Sequence, residues 1–127
     1  MLASDGTIFV DSRAHKTIWD GCVAARAHGA TVVRYAHDDP DALERLLRRH
    51  AKPPRLVCMD GVNSMTGNPP QLAPFVERAR ASDALLYVDD AHGFGVVGSG
   101  TAPRPARMAA AATGWCAIWA SATSTWC

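Results

Sequence analysis

Carboxylate, imidazole and hydroxyl side chains follow three of the apolar segments of this 127-residue chain. Aspartate and histidine move protons and bind polar or cationic groups, so their clustering is typical of catalytic and cofactor sites. Segments that only turn the chain are rich in glycine, proline, asparagine, aspartate and serine, but not in histidine. The three clusters are Asp11-Ser12-Arg13-Ala14-His15, Asp60-Gly61-Val62-Asn63-Ser64 and Asp89-Asp90-Ala91-His92.

The elements that must position these clusters are strands and helices in alternation. Apolar segments with β-branched residues predict strands over residues 7–11, 31–36, 55–60 and 84–90. Between them, helices are predicted over residues 16–28, from Asp39-Pro40 to before Pro53, and over residues 71–82. This order predicts an α/β fold: a parallel sheet with right-handed helical crossovers, in three α/β/α layers.

The carboxyl ends of parallel strands lie at one edge of a sheet, where open α/β sheets bind their ligands. We therefore expect the clusters to converge on one crevice, with the Asp89 carboxylate and the His15 ring facing the same space. A purely structural interpretation assigns Asp11 or Ser12 to capping the next helix. Capping does not explain why His15 and His92 arrive at the same edge, so we favour a functional crevice.

Three other kinds of site are weaker interpretations. Residues 93–98 match the glycine pattern of a dinucleotide site, but the glycine and prolines that follow disfavour a helix, and residues 91–127 contain no acid to bind a ribose. His15, His92, Asp89 and Asp90 could bind a metal, although their spacing is not specific for one. Ser64 lacks the glycine frame of a hydrolase nucleophile.

Composition limits the classes of partner. A formal net charge of +1 without a basic stripe argues against nucleic-acid and membrane partners, and Arg45, Arg48 and Arg49 fit a solvated helix face. The four cysteines have no metal or disulfide spacing, and the start of the chain has no secretory pattern. We therefore expect reduced thiols and a cytoplasmic location, with Cys58 as a small core residue. No apolar stretch reaches transmembrane length.

Residues 7–98 resemble the central segment of the pyridoxal-phosphate (PLP)-dependent α-oxoamine synthases, within the fold-type I (class I/II aminotransferase) superfamily. Four collinear motifs carry the resemblance. Residues 11–21 are similar to D-x-x-N-H-A-S-I-x-D-G, residues 35–39 to Y-x-H-N-D, residues 60–67 to E/D-G-V-F-S-M-D-G and residues 89–98 to D-D-A-H-x-x-G-V-L-G. The chain departs from these motifs at Ala14, Lys16-Thr17, Asn63 and Thr66, which indicates a divergent branch.

The resemblance implies a cofactor-binding role for four residues, each by its place in a motif. Asp89 would pair with the pyridine nitrogen of PLP and keep it protonated, because a nearby carboxylate raises the pKa of that nitrogen. His15 would stack on the ring face, while His92 and Ser64 would hydrogen-bond the side that carries the phenolic oxygen. Asp90 would face away, since neighbouring strand residues point to opposite faces.

The resemblance also implies a reaction, the condensation of an amino acid with an acyl-CoA by a homodimeric transferase. In the family, a lysine downstream of Asp-x-x-His forms a Schiff base with PLP, but Lys16 and Lys52 both lie upstream here. We therefore expect no catalytic lysine, impaired PLP binding and no activity from this chain alone. It would be a partial large domain without the family's phosphate loop and small C-terminal domain. The alternative is a non-catalytic remnant or interaction module with the same fold.

The composition changes near residue 98, so we divide the chain into residues 1–98 and an atypical tail, residues 99–127. The tail is rich in alanine, holds three of the four tryptophans and shows no helical or strand period. Read one frame back, the codons of residues 114–120 are compatible with V-V-R-H-L-G, a continuation found in some relatives. We favour a frameshift near residue 100, with a tail that packs on a partner as the alternative. We expect residues 101–127 to be disordered and to contact a four-stranded sheet little.

Overall fold

The computed structural model of the chain describes residues 5–93 together with the backbone of Cys116 and Ala117. No helix in this described part is long and apolar enough to cross a membrane. In chain order the elements are β1 (Thr7–Asp11), α1 (Lys16–Ala27), β2 (Thr31–Tyr35), α2 (Pro40–Arg49), β3 (Arg55–Asp60), α3 (Leu72–Ala81), β4 (Leu85–Asp89) and β5 (Cys116–Ala117).

All strand pairs among the described residues are parallel, and the order across the sheet is β2-β1-β3-β4-β5. The predicted parallel α/β fold is therefore confirmed. β1 and β3 have their predicted bounds, while β2, β4, α1 and α3 are shorter than predicted by one residue at one or both ends. Such differences are small, because the ends of elements are the least well defined part of a sequence pattern.

The strand order determines which face of the sheet each helix covers. The chain moves outward from β1 to β2, then returns across β1 to β3 and continues to β4. Because parallel crossovers are right-handed, this reversal of direction puts the helices on opposite faces. α1 packs on one face, and α2 and α3 pack on the other, which gives the three predicted layers.

The face under α2 and α3 holds the larger core and is called the packed face below. The Tyr35 hydroxyl donates a hydrogen bond to the Cys58 carbonyl at 3.3 Å, and its ring centroid lies 6.1 Å from that of Phe75. Burial, reinforced by nearby carboxylates, raises the pKa of Tyr35 well above its usual value. The buried members are Phe9, Tyr35, Leu43, Leu47, Val57, Met59, Leu72, Phe75, Ala79, Ala84, Leu86 and Val88.

The face under α1 has a smaller core with smaller side chains and is called the open face below. α1 packs mainly on β1 and β2 and reaches β3 at Cys58, which shares this core with Cys22. Leu56 and Tyr87 are consequently only partly buried, and Leu85 is exposed. The buried members are Ile8, Val10, Ala14, Ile18, Cys22, Ala30 and Cys58. Cys58 is thus a small core residue, as predicted.

The N-cap of α1 is His15, whose Nδ1 accepts a hydrogen bond from the Thr17 backbone N–H at 3.3 Å. The expectation that Asp11 or Ser12 caps this helix is therefore wrong. The Asp11 carboxylate instead accepts the Arg13 N–H at 2.7 Å, within the turn that leads to the helix. This turn uses three residues between the strand and the cap, so an acid at the strand end is too early to cap the helix.

α2 begins as its sequence predicts. The Asp39 side chain accepts the Ala42 N–H at 2.7 Å, and Pro40 occupies the first helical position, where a missing N–H is harmless. At the end of α1, Gly29 adopts φ 98°, a left-handed conformation that glycine accommodates without steric cost. These local signals mark the start of α2 and the end of α1.

A fifth strand, β5, was not predicted. Cys116 and Ala117 pair in parallel with Tyr87 and Val88 of β4, so the sheet has five strands rather than four, and the tail adds one of them. The expectation of few contacts with the sheet is corrected at these two positions. The rest of the predicted tail, including the proposed frameshift near residue 100, lies outside the described residues.

Candidate functional site

Strand alternation places two carboxylates together on the open face. Asp60 and Asp89 are Cα partners at the carboxyl ends of β3 and β4. Each lies two residues beyond a member of the open face, Cys58 or Tyr87, and residues two apart on a strand share a face. Asp60 and Asp89 therefore sit side by side at the sheet edge.

A cavity of about 540 Å³ opens between α1 and this face. Its size is within the roughly 300–1,000 Å³ typical of small-molecule sites. Its polar end, at the carboxyl edge of the sheet, is formed by His15, Asp60, Asp89 and His92. The rest of the wall is mostly apolar and consists of Ile8, Thr17, Ile18, Gly21, Cys22, Ala25, Leu56, Cys58, Tyr87 and Ala91.

Two contacts position His15. Its backbone N–H donates to Asp60 Oδ1 at 3.1 Å, which joins the start of α1 to the end of β3. Its Nδ1 accepts from the Thr17 backbone N–H and lies 2.9 Å from the Thr17 hydroxyl oxygen. Because Nδ1 accepts an N–H bond, the neutral ring carries its proton on Nε2. These contacts orient the imidazole at the cavity wall.

Asp60 is a buried carboxylate with an altered affinity for protons. The pKa of Asp60 is raised, mainly because the carboxyl is buried. The hydrogen bond from the His15 N–H lowers this pKa, and the negative charge of Asp89 raises it further. Two carboxylates at one edge repel each other unless a proton or a cation lies between them. The pair therefore suits a positively charged ligand group, such as a protonated ring nitrogen.

Asn63 connects two loops of the site and is only 2% exposed. Its side-chain amide donates to the Arg13 carbonyl at 3.0 Å and lies 3.4 Å from Asp60 Oδ2. Its side-chain oxygen accepts the backbone N–H groups of Met65 and Thr66 at 3.1 and 3.2 Å. A buried polar group satisfied on both sides fixes the geometry around it. Asn63 thus holds the turn after β3 against the loop that carries His15.

Asp90 points away from the cavity, as alternation predicts. It is 2% exposed and is not part of the cavity wall. A Cβ placed on Gly61 or on Gly93 would come within 3.0 Å of Asp90 Oδ1. The loops after β3 and β4 can close around this carboxylate only because both positions are glycine. Its neighbour Asp89 accepts the Ala91 N–H at 3.2 Å, and the Asp89 side chain lines the cavity.

Asp11 belongs to the packed face and joins the ends of β1 and β2. Its two carboxylate oxygens lie 3.0 and 3.1 Å from His37 Nδ1. Asp11 follows Phe9 of the packed face by two residues, which explains why it is absent from the cavity wall. Of the first predicted cluster, only His15 reaches the cavity.

The four predicted cofactor residues lie at one edge of the sheet but not all in one wall. His15, Asp89 and His92 line the cavity. Ser64 is exposed in the turn after β3 and is not part of the wall. Within the described residues, no three His, Cys, Asp or Glu side chains are placed to hold a metal ion.

Sequence reasoning placed Asp60 and Asn63 in a cluster at the site but assigned neither a role, and it named Thr17 only as a departure from the motif. Asp60 ends a strand just as Asp89 does, so a parallel register between the two strands would have paired them. Thr17 lies two residues after His15, a spacing at which a side chain and a backbone N–H meet at a helix start. The role of Asn63 could not be predicted, because its Arg13 partner comes from a distant part of the chain.

Comparisons with known proteins show the family to which the chain belongs. Residues 2–123 match the family model described as aminotransferase class I and II. The 8-amino-7-oxononanoate synthase of Marinobacter nauticus is 50% identical over 101 residues, which cover 76% of this chain and 24% of the relative. Serine palmitoyltransferase of Sphingomonas wittichii superposes with a TM-score of 0.71 at 32% identity, covering 78% of this chain and 24% of that one. A high-resolution structure of serine palmitoyltransferase with PLP gives a TM-score of 0.65 at 33% identity, covering 74% and 24%.

The parallel sheet with its helical crossovers is part of the PLP-transferase fold, which its structural neighbours share. The chain belongs to the aminotransferase class I and II family. Its relatives in sequence and structure are α-oxoamine synthases, which confirms the resemblance seen in the motifs. The chain spans about a quarter of the length of the curated relatives it matches.

Proposed function

We propose that this chain forms the central part of the large domain of an α-oxoamine synthase, a PLP-dependent transferase that condenses an amino acid with an acyl-CoA. The proposal includes a cytoplasmic, homodimeric enzyme as the context in which this part acts. The observation that carries it is the shared cavity wall of His15, Asp89 and His92, in a chain whose relatives include 8-amino-7-oxononanoate synthases and serine palmitoyltransferases.

The described residues fit PLP at the polar end of the cavity. Asp89 would face the pyridine nitrogen, and the adjacent Asp60 adds negative potential that favours the protonated ring. His15, held by Thr17 and Asp60, would present its ring face to the cofactor. When bound, PLP supplies an electron sink for charge that develops at the α-carbon of the amino acid.

His92 and Ser64 would contact the side of the ring that carries the phenolic oxygen. His92 is in the cavity wall, and its position two residues after Asp90 ties it to the closely packed turn around Gly61 and Gly93. Ser64 is exposed at the same edge. It follows Asn63 directly, so the hydrogen bonds of Asn63 fix the backbone that presents its hydroxyl.

We further propose that this chain by itself does not catalyse the reaction. Its lysines lie away from the cavity wall: Lys16 pairs with Asp20 at 2.5 Å on the surface of α1, and Lys52 pairs with Asp5 at 3.3 Å. Neither is placed to bind PLP covalently or to move the α-proton. Loss of a positioned base typically lowers a rate by about 10²–10⁴-fold. These positions also favour the second candidate, a non-catalytic module that retains the fold.

Binding of the ring can be tested without lysine chemistry by using 4′-deoxypyridoxine 5′-phosphate, which has no aldehyde. In a ¹⁵N–¹H NMR titration of the full chain, we expect amide shifts confined to residues 13–17, 60–64 and 89–92. Asp89→Asn removes a charge-assisted hydrogen bond at constant shape and should weaken binding by about ten-fold or more. His15→Asn, which keeps a good N-cap, should also weaken it.

Asp20→Asn is the matched control for charge, because Asp20 lies on α1 outside the cavity wall. His28→Asn is the control for the imidazole, at the other end of the same helix. Shifts elsewhere, or equal affinities for Asp89→Asn and Asp20→Asn, would contradict the assigned site. If the wild-type chain shows no amide shifts with this ligand, the fold assignment still stands and the non-catalytic module is favoured.

Catalytic competence needs a separate measurement with PLP itself. We expect no PLP absorbance band that survives dialysis and no release of CoA thiol from an acyl-CoA with any amino acid. A stable band that is abolished by Lys16→Ala or by Lys52→Ala would overturn the assignment of these lysines. A band unaffected by either substitution would place the reactive group outside the described residues.

A further inference from the structure

Two thiols lie at the base of the cavity and have no part in the proposed cofactor site. Cys22 is on α1 and Cys58 is on β3, each 4% exposed. Both belong to the core of the open face, and both line the cavity wall. Their side chains are hydrogen-bonded to each other, and both are free thiols. A helix and a central strand are thus joined at this point by a thiol–thiol contact.

We propose that Cys22 and Cys58 form a site of covalent modification, a dithiol that hydrogen peroxide or an organic hydroperoxide converts into an intramolecular disulfide. The contact between the side chains meets the first requirement for such a bond, since a disulfide forms only where two cysteines are already close. The cavity supplies the second, a route by which a small oxidant reaches two otherwise buried sulfur atoms. This proposal does not depend on PLP binding.

The two thiols have different chemical roles. The hydrogen bond from Cys58 lowers the pKa of Cys22, although burial opposes this. The same contact, together with burial, raises the pKa of Cys58. Because the thiolate is the nucleophile, Cys22 reacts first and Cys58 resolves the product.

Formation of the disulfide consumes only the two thiols and one molecule of peroxide. The Cys22 thiolate attacks one peroxide oxygen, the O–O bond breaks, and the hydroxide released takes up a proton to become water. Cys22 is then a sulfenic acid. The Cys58 sulfur attacks the Cys22 sulfur, the S–O bond breaks, and a second water leaves as the disulfide forms. Two thiols are oxidised by two electrons in total, and one hydrogen peroxide is reduced to two waters, or one organic hydroperoxide to an alcohol and a water.

The disulfide would join the middle of α1 to β3 two residues before Asp60. It would cross-link the wall on which His15 and Asp60 meet, so the modification would reach the polar end of the cavity through rigid elements. Both reacting thiols belong to the core of the open face. The described core of the packed face contains no cysteine.

The test uses the full chain with Cys116→Ser and Cys127→Ser, which leaves only the two thiols in question. After stoichiometric hydrogen peroxide, we expect loss of both thiols in a dithionitrobenzoate assay under denaturing conditions, with the protein still monomeric on a non-reducing gel. The intact mass should fall by two hydrogen atoms. Tryptic peptides 17–26 and 56–78, which carry Cys22 and Cys58, should be joined until a reductant is added.

Single variants in this background establish the order of events. With Cys58→Ala, Cys22 should be trapped by dimedone as a sulfenic acid; with Cys22→Ala, Cys58 should remain a thiol. Circular dichroism of each variant before oxidation verifies the fold. Oxidation of the two-thiol chain in urea tests whether rapid disulfide formation requires the folded state. The proposal is wrong if Cys22 proceeds to a sulfinic acid while Cys58 stays free, if both thiols survive, or if the disulfide forms equally fast in urea.

Discussion

The packed face and the open face of the sheet differ in what fills them. Under α2 and α3, aromatic and branched side chains such as Phe9, Tyr35 and Phe75 are buried almost completely. Under α1, the core consists of smaller residues, and a cavity of about 540 Å³ adjoins it. Hydrophobic stabilisation grows with the apolar area removed from water, so the packed face contributes most of the stability.

The two adjacent carboxylates Asp89 and Asp90 also differ in their surroundings. Asp90 is enclosed by two glycines, while Asp89 lines the cavity and can meet a ligand. One position therefore fixes the shape of the turn and the next one presents the charge. This arrangement suits a binding site, because a charged group that meets a ligand must be held rigidly by well-packed neighbours.

The largest expected effect comes from removing an anchor of the packed face. Phe75→Ala should destabilise the chain by about 3–5 kcal/mol, since Phe75 is 1% exposed and its ring packs on Tyr35. On the open face, Ile18→Ala should cost less, about 2 kcal/mol, because Ile18 already borders empty space. Urea unfolding measures both values. Equal costs would mean that the two faces do not differ in packing.

Adding a methyl group should have opposite effects on stability at the tight turn around Asp90 and at the open cavity. In Gly61→Ala, the new Cβ meets the Asp90 carboxylate, so we expect a loss of about 1–3 kcal/mol. In Gly21→Ala, the new Cβ on α1 has nothing within 4 Å, and alanine favours the helix by about 0.5–1 kcal/mol. Thermal or urea unfolding should show opposite signs. A stabilising Gly61→Ala would refute the close approach of Asp90.

The smallest effect concerns the pH dependence of Asp60. Its pKa is raised in the native state above the usual 3.8, so from that pH upward the native chain binds more protons at this site than the unfolded chain. The free energy of unfolding should therefore fall as the pH rises through this interval. Asp60→Asn removes this contribution.

The matched control is Asp20→Asn, at an exposed carboxylate on α1. Unfolding measured by urea from about pH 4 to pH 7 should give a steeper decline for the wild type and for Asp20→Asn than for Asp60→Asn. If Asp60→Asn retains the full decline, another group is responsible, and the polar end of the cavity does not carry the burial cost assigned to it.

Much of the fold could be predicted because its signals are local. Apolar strands, the Asp39-Pro40 helix start and the stop at Gly29 each depend on a few neighbouring residues. The site could be predicted only in part. Asp89 and His15 lie in recognisable clusters, but Asn63 acts through Arg13, fifty residues away in sequence. A pattern along the chain contains no information on such a contact until the sheet has brought both loops to one edge.

By itself, the sequence determined the alternation of strands and helices, the parallel sheet and the family, because these depend on periodicity and on short motifs. The tertiary structure decided which carboxylates face the cavity. Asp60 and Asp89 share the open face and Asp11 and Asp90 do not, since the register of β3 against β4 and the hand of the crossovers set each side chain's face. It also decided that Cys22 and Cys58 meet, because their contact exists only where α1 lies over the sheet.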